Sequence, residues 1–221
     1  MTKTVTVDIW SDVMCPWCAI GYAQFLRAVE QVDGEIEVET RFMPFELNPD
    51  MPPEGKEQDK HLAQVYGRSL EEVAAMRMQL VAAAERAGFP MQFGDPAMMW
   101  NTFEAHKLLR WALATGGPQA QGELKLALLR AHFQQVRPIG DREELLNIAA
   151  EAGFDRSAAA EALDEEALAL ATRMEEQRGV EAGINSVPSF VLQGKYLVTG
   201  ARDAGDFASM LRQVAGLEQA A

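Results

Sequence analysis

Apolar and polar residues alternate near the start of the chain. Val5, Val7 and Ile9 fall on one side of an extended run, and Thr4, Thr6 and Asp8 fall on the other. A period of two predicts a strand over residues 4–10. Ser11 and Asp12 read as a turn. From about Pro16 the spacing becomes helical, with Ile20, Phe25, Leu26 and Val29 as the apolar positions and Gly34 as the stop. A second strand reads over residues 35–43. Strand, helix, strand in this order predicts a βαβ unit with parallel strands and a right-handed crossover.

A proline-rich but apolar stretch follows, Pro44-Phe45-Glu46-Leu47-Asn48-Pro49-Asp50-Met51-Pro52-Pro53, which reads as a packed loop. Beyond it the pattern is helical for over a hundred residues. Leu70, Val73, Arg77, Leu80, Val81 and Ala84 mark one face, ended by Gly88. Asn101-Thr102-Phe103-Glu104 resembles a capping box that opens a helix through Leu108, Leu109 and Leu113. Further helices fit residues 119–136, 141–152 and 164–179, and the alanine-rich run near Ala158 has helix composition. The end returns to strands. Ser189-Phe190-Val191-Leu192 and Tyr196-Leu197-Val198-Thr199 flank Gln193-Gly194-Lys195, a hairpin signal. Asp203 then caps a last helix with Phe207, Met210, Leu211 and Val214 on one face. The expectation is a thioredoxin-like module from residues 1–50 and 180–221, interrupted by a helical domain over 51–179.

Charge narrows the partners. The 221-residue chain carries 33 acidic and 20 basic residues, a formal net charge of −13, which argues against nucleic acid or an anionic membrane surface. No stretch is long and apolar enough to cross a membrane, and the first residues contain no signal-like apolar region. A cytoplasmic location is expected, with the protein a monomer or homodimer.

The candidate chemistry lies in Cys15-Pro16-Trp17-Cys18, which holds the only two cysteines in the chain. Two thiols three apart, after a strand and at the start of a helix, match a thiol–disulfide exchange site. Cys15 falls where unpaired helix N–H groups and the dipole favour a thiolate. Cys18, one turn in, is expected to be the less exposed of the two. Pro16 sits where its missing N–H is harmless. Zinc needs about four ligands, and only the scattered His61, His106 and His132 could join the thiols, so no metal is expected. The short loop and the expected compartment both count against an inert structural disulfide.

Four stretches in order carry a resemblance: residues 11–21 around the CxxC; Pro44-Phe45-Glu46-Leu47-Asn48-Pro49; Asn101-Thr102-Phe103-Glu104-Ala105-His106; and Ser186-Val187-Pro188-Ser189-Phe190-Val191 with Gly200-Ala201. The chain looks like the α/β thioredoxin fold of the DsbA family, βαβ…ββα with a large all-helical insertion, and most like its FrnE-like cytoplasmic branch. The resemblance implies a disulfide oxidoreductase whose Cys15 attacks and whose Cys18 resolves. It implies a cis Val187–Pro188 bond facing the dithiol, with Val187 offering its backbone to a substrate strand. Pro16, Trp17 and His106 become candidate substrate contacts. The substrates would be protein or low-molecular-weight thiols and disulfides. No bound cofactor is expected, and glutathione is a candidate co-substrate. DsbA itself has a His between its cysteines; Pro16-Trp17 brings no such charge, which argues against strong oxidising power. Asp8 is a candidate for the buried acid of thioredoxin-like proteins. Asn101 reads as a helix cap. Met14, Met43, Met51, Met98 and Met99 suit either an adaptable surface or an irregular core.

The rivals are a glutathione-dependent transferase or isomerase of the kappa-class or hydroxychromene-carboxylate isomerase type, and a non-catalytic client-binding chaperone. The first has Ser in place of Cys15 and no second Cys. The second would keep full activity without either thiol.

Overall fold

A computed structural model describes residues 2–217. Alternation at the start of the chain forms β1 (Lys3–Ser11), in which Val5, Val7 and Ile9 are all buried. It is followed by α1 (Pro16–Gln31) and β2 (Ile36–Pro44). β1 and β2 pair in parallel with Asp8 opposite Arg41 and Ile9 opposite Phe42. At the far end β5 (Ser189–Leu192) runs antiparallel to β1 and makes a hairpin with β6 (Tyr196–Thr199), giving the sheet order β2-β1-β5-β6. The hairpin turns at Gln193 and Gly194, both at positive φ, 53° and 64°. That geometry matches the twist of the strands. The last helix, α8 (Ala204–Val214), packs on α1.

One core lies between the sheet and these two helices. Phe25 of α1, Phe190 of β5 and Phe207 of α8 close it, with ring centroids 4.6–5.5 Å apart, a spacing at which aromatic pairs attract beyond simple burial. Between β2 and β5 the chain builds α2 (Gln58–Tyr66), α3 (Leu70–Arg86), α4 (Phe103–Phe133), α5 (Arg142–Glu151), α6 (Arg156–Asp164) and α7 (Glu166–Glu181). A second core of Leu108, Leu109, Leu128, Leu145, Leu146 and Ile148 joins α4 to α5. The insertion also reaches the first core through Phe89, Leu129 and Phe133.

Several expectations are corrected here. The insertion is helical except for a two-stranded ladder, β3 (Lys56–Glu57) with β4 (Met98–Met99), too short to leave a periodic signal. The two helices read on either side of residue 117 are both present within α4, parted by a kink at which Gly117 takes a non-helical φ of 77° ahead of Pro118. Leu70 is 55% exposed, because α3 buries only Val73 and Ala84. No capping box forms at α4. Asn101 accepts from Phe103 N at 3.0 Å and donates to the Met51 carbonyl at 2.9 Å, while Glu104 pairs with Arg142.

Candidate active site

Cys15 is the N-cap residue of α1 and Pro16 opens the helix. Its backbone carbonyl accepts from Cys18 N at 3.0 Å, which turns the second cysteine back over the first turn. Both are free thiols. The expected contrast in exposure is absent. Cys15 is 4% exposed and Cys18 2%, because Cys15 is covered by the loop before β5. Its Sγ lies 3.8 Å from the Val187 carbonyl oxygen, within sulfur hydrogen-bond reach. Trp17 is the open part of the motif, 48% exposed.

The Val187–Pro188 peptide bond is cis. Pro188 is buried, and small residues let it approach: a Cβ on Gly21 would lie 3.1 Å from Pro188 Cγ and 3.5 Å from Ala201. The Pro188 carbonyl accepts from Gly200 N at 2.8 Å, which ties the loop to the end of β6. These contacts account for Gly21 and Gly200-Ala201 in physical terms: each keeps the loop close to α1.

Asp12, read as a turn residue, is a buried anchor. Its carboxylate accepts from Met14 N at 3.1 Å and from Leu47 N at 2.8 Å, joining the loop before Cys15 to the proline-rich loop. His106 of α4 is buried beside it, with Nε2 3.6 Å from Asp12 Oδ1. Burial by itself would raise the Asp12 carboxyl. The His106 ring and the two N–H groups outweigh it and hold the group below its ordinary value. Glu46 lies next in the same loop and pairs with Arg173 of α7, whose guanidinium stacks 3.6 Å from the Phe103 ring centroid. An open groove of about 850 Å³ runs along these residues, lined by Phe45, Pro49, Met174 and Val180.

Asp8 is not the buried acid of this site. Strand parity puts it opposite to Val7 and Ile9, where it forms a two-pronged pair with Arg41 at 2.7 and 3.1 Å. The buried ionisable side chain whose charge acts on the dithiol is a lysine instead. Lys125 of α4 is fully buried and its Nζ has no hydrogen-bond partner. Burial lowers its pKa to about 8, although Cys18, Asp12 and Cys15 all pull it upward. The Cys18 thiol is pushed well above the ordinary value by burial and by the Cys15 sulfur, with Lys125 opposing the rise. His132, also buried on α4, is lowered to about 4 by burial, so its ring is neutral near pH 7. Nothing in the pattern of the chain separates Lys125 from a surface lysine; only its place among Leu124, Leu128 and Leu129 hints at burial. Among the described residues no cluster of His, Cys, Asp or Glu side chains is arranged to hold a metal ion. Met14, Met43, Met51 and Met99 are buried, so they fill the core and form no adaptable surface.

A thioredoxin-type sheet, a dithiol at the first turn of α1 and a cis Val187–Pro188 loop whose Val187 carbonyl meets Cys15 define a thiol-oxidoreductase scaffold. Residues 6–212 match the family model of the DSBA-like thioredoxin domain, and the chain belongs to that family. Over 98% of its length it is 31% identical to the probable DsbA oxidoreductase SCO1869 from Streptomyces coelicolor, covering 92% of that chain with a TM-score of 0.88. It is 28% identical over 199 residues, 90% of this chain and 91% of the other, to the uncharacterized protein YwbO of Bacillus subtilis. The fold is shared with the cytosolic disulfide reductase DsbM from Pseudomonas aeruginosa, solved with GSH, at a TM-score of 0.62, 20% identity and 96% coverage of both chains.

Proposed function

We propose that this chain is a thiol–disulfide oxidoreductase working through Cys15 and Cys18 on protein or low-molecular-weight disulfides, glutathione disulfide among them. One observation carries the reading: Cys15 caps α1 with its sulfur against the Val187 carbonyl, and Cys18 stands one turn behind it. The Cys15 thiolate attacks one sulfur of a substrate disulfide. A mixed disulfide forms and the other half leaves as a thiolate. Cys18 then attacks the Cys15 sulfur, the second substrate thiol leaves, and the enzyme holds a Cys15–Cys18 disulfide. The reverse sequence oxidises a dithiol. A substrate strand would lie along the loop before β5 and pair with the Val187 backbone, with Trp17 and Pro16 as its apolar contacts. His106, buried with Nε2 3.6 Å from Asp12 Oδ1, supports the loop that carries Cys15.

The test is trapping. Cys18→Ser keeps the attacking thiol and removes the resolving one. Mixed disulfides with glutathione or client proteins are expected to accumulate on Cys15 and to disappear with reductant. A Cys18→Ser protein with wild-type multiple-turnover rates in a glutathione-free assay would overturn the reading.

A further inference from the structure

Lys125 is a buried cation with no hydrogen-bond partner, inside a core where an unpaired charge is expensive. Its position is held by its neighbours on α4. Gln121, one turn earlier, accepts from Phe42 N at 2.7 Å and donates to the Phe42 carbonyl at 2.8 Å and the Leu109 carbonyl at 3.1 Å. Gly122 lies against Tyr22 of α1: a Cβ there would be 3.4 Å from the phenol oxygen. Tyr22 and Phe42 meet edge to face at 4.8 Å, and Lys125 Nζ stands 5.4 Å from the Phe42 ring centroid. Tyr22 is one helical turn beyond Cys18 on the same face of α1. Tyr22 and Phe42 thus join the Cys18 face of α1 to the stretch of α4 that carries Lys125.

We propose that Lys125 is the counter-charge of the resolving thiol, a positioning residue that acts through Cys18 and does not meet the substrate. The inference rests on the dithiol reading above. During resolution the Cys18 thiol loses its proton and its sulfur attacks Cys15 Sγ. The Cys15–substrate S–S bond breaks, the Cys15–Cys18 bond forms, and the departing thiolate takes up one proton. Negative charge passes through a buried sulfur in this step, where burial and the Cys15 sulfur both oppose it. The Lys125 charge acts on that sulfur and favours its charged form in a medium of low dielectric. The ionisable groups acting on Lys125 are Cys18 and Cys15 of α1 and Asp12 of the preceding loop, so the cation is shared among three candidate anions and no fixed partner neutralises it.

Single-turnover reaction with glutathione disulfide separates the two halves. Release of the first glutathione thiol reports attack by Cys15, and release of the second reports resolution by Cys18. Lys125→Met, which keeps the length without the charge, is expected to slow the second release at least about tenfold and the first by less. Lys125→Arg is expected to restore much of the loss. In a Cys15→Ser background, the midpoint of Cys18 thiolate absorbance should move to higher pH on Lys125→Met, a readout that does not depend on the Arg variant packing well. Unchanged second release together with an unchanged Cys18 midpoint in Lys125→Met would overturn the proposal while leaving the dithiol reading intact. A wild-type protein that released the first thiol and then stalled would overturn the dithiol reading itself.

Discussion

Cys15 and Cys18 are three residues apart and both are withdrawn from solvent, yet different parts of the chain surround them. Cys15 faces the loop before β5, whose Val187 carbonyl comes from the last quarter of the sequence. Cys18 is the thiol whose rise in pKa is opposed by the charge of Lys125 on α4 of the insertion. The loop side offers the Val187 backbone, along which the proposed substrate strand would pair. The insertion side offers the buried Lys125 ammonium. Two chemically identical thiols can thus hold distinct roles through what packs against each.

The comparison breaks first at the sulfurs themselves. Cys15→Ser should bring turnover down to the uncatalysed background, a loss of about 10³-fold or more in a disulfide-reduction assay, since no other nucleophile stands at the helix start. Cys18→Ser should lose less wherever excess small thiol can resolve the mixed disulfide from solution. Equal rates in the two variants would erase the distinction between them.

Asp12→Ala tests the loop that holds both thiols. It removes the acceptor for Met14 N and Leu47 N and leaves His106 buried without its partner, so a loss of about 3 kcal/mol is expected in denaturant unfolding near pH 7. The sign with pH follows from the lowered carboxyl. Its stabilisation is fully present above the unfolded value of about 3.9 and is lost as pH falls from there through the folded value. The gap between wild type and variant should therefore narrow in acid.

Gln121→Ala sharpens the insertion side. Loss of its hydrogen bonds to Phe42 and Leu109 in a buried site should cost about 2 kcal/mol and loosen α4 over the sheet. If Lys125 acts through Cys18, the resolution step should slow more than the first attack. Gly21→Ala is the smallest change and touches the other side. A methyl 3.1 Å from Pro188 Cγ forces the loop outward by a few tenths of an ångström, for about 1 kcal/mol, and should slow attack by Cys15 more than resolution. A variant with the opposite split would show that the two sides are not separable.

Much of this arrangement is legible along the chain. β1, α1, β2, the β5–β6 hairpin and α8 fall within a residue or two of their patterns, because each carries a clean period and a turn or cap at its end. The dithiol and the Val-Pro are local signals: Cys15 is the N-cap residue of α1 and the Val187–Pro188 bond is cis. Asp12 and Lys125 were not legible as site residues. Asp12 sits among turn formers, and its partners Leu47 and His106 are distant in sequence. Lys125 has the composition of any helix lysine. Asp8 was legible and misleading: an acid near the dithiol in sequence, turned by strand parity toward Arg41.

The amino-acid pattern determined the elements, their order and the thiol chemistry, since periodicity, caps and a CxxC act over a few residues. Which groups meet the thiols was decided only in three dimensions. Packing of α4 over β2 buried Lys125 near Cys18, and closure of the proline-rich loop on Asp12 buried an acid read as a turn. Those outcomes depend on contacts across 35 residues between Asp12 and Leu47 and 79 between Phe42 and Gln121. Long-range contacts of this kind are selected by shape and by the demand that buried polar groups find partners, and no short window of sequence carries that information.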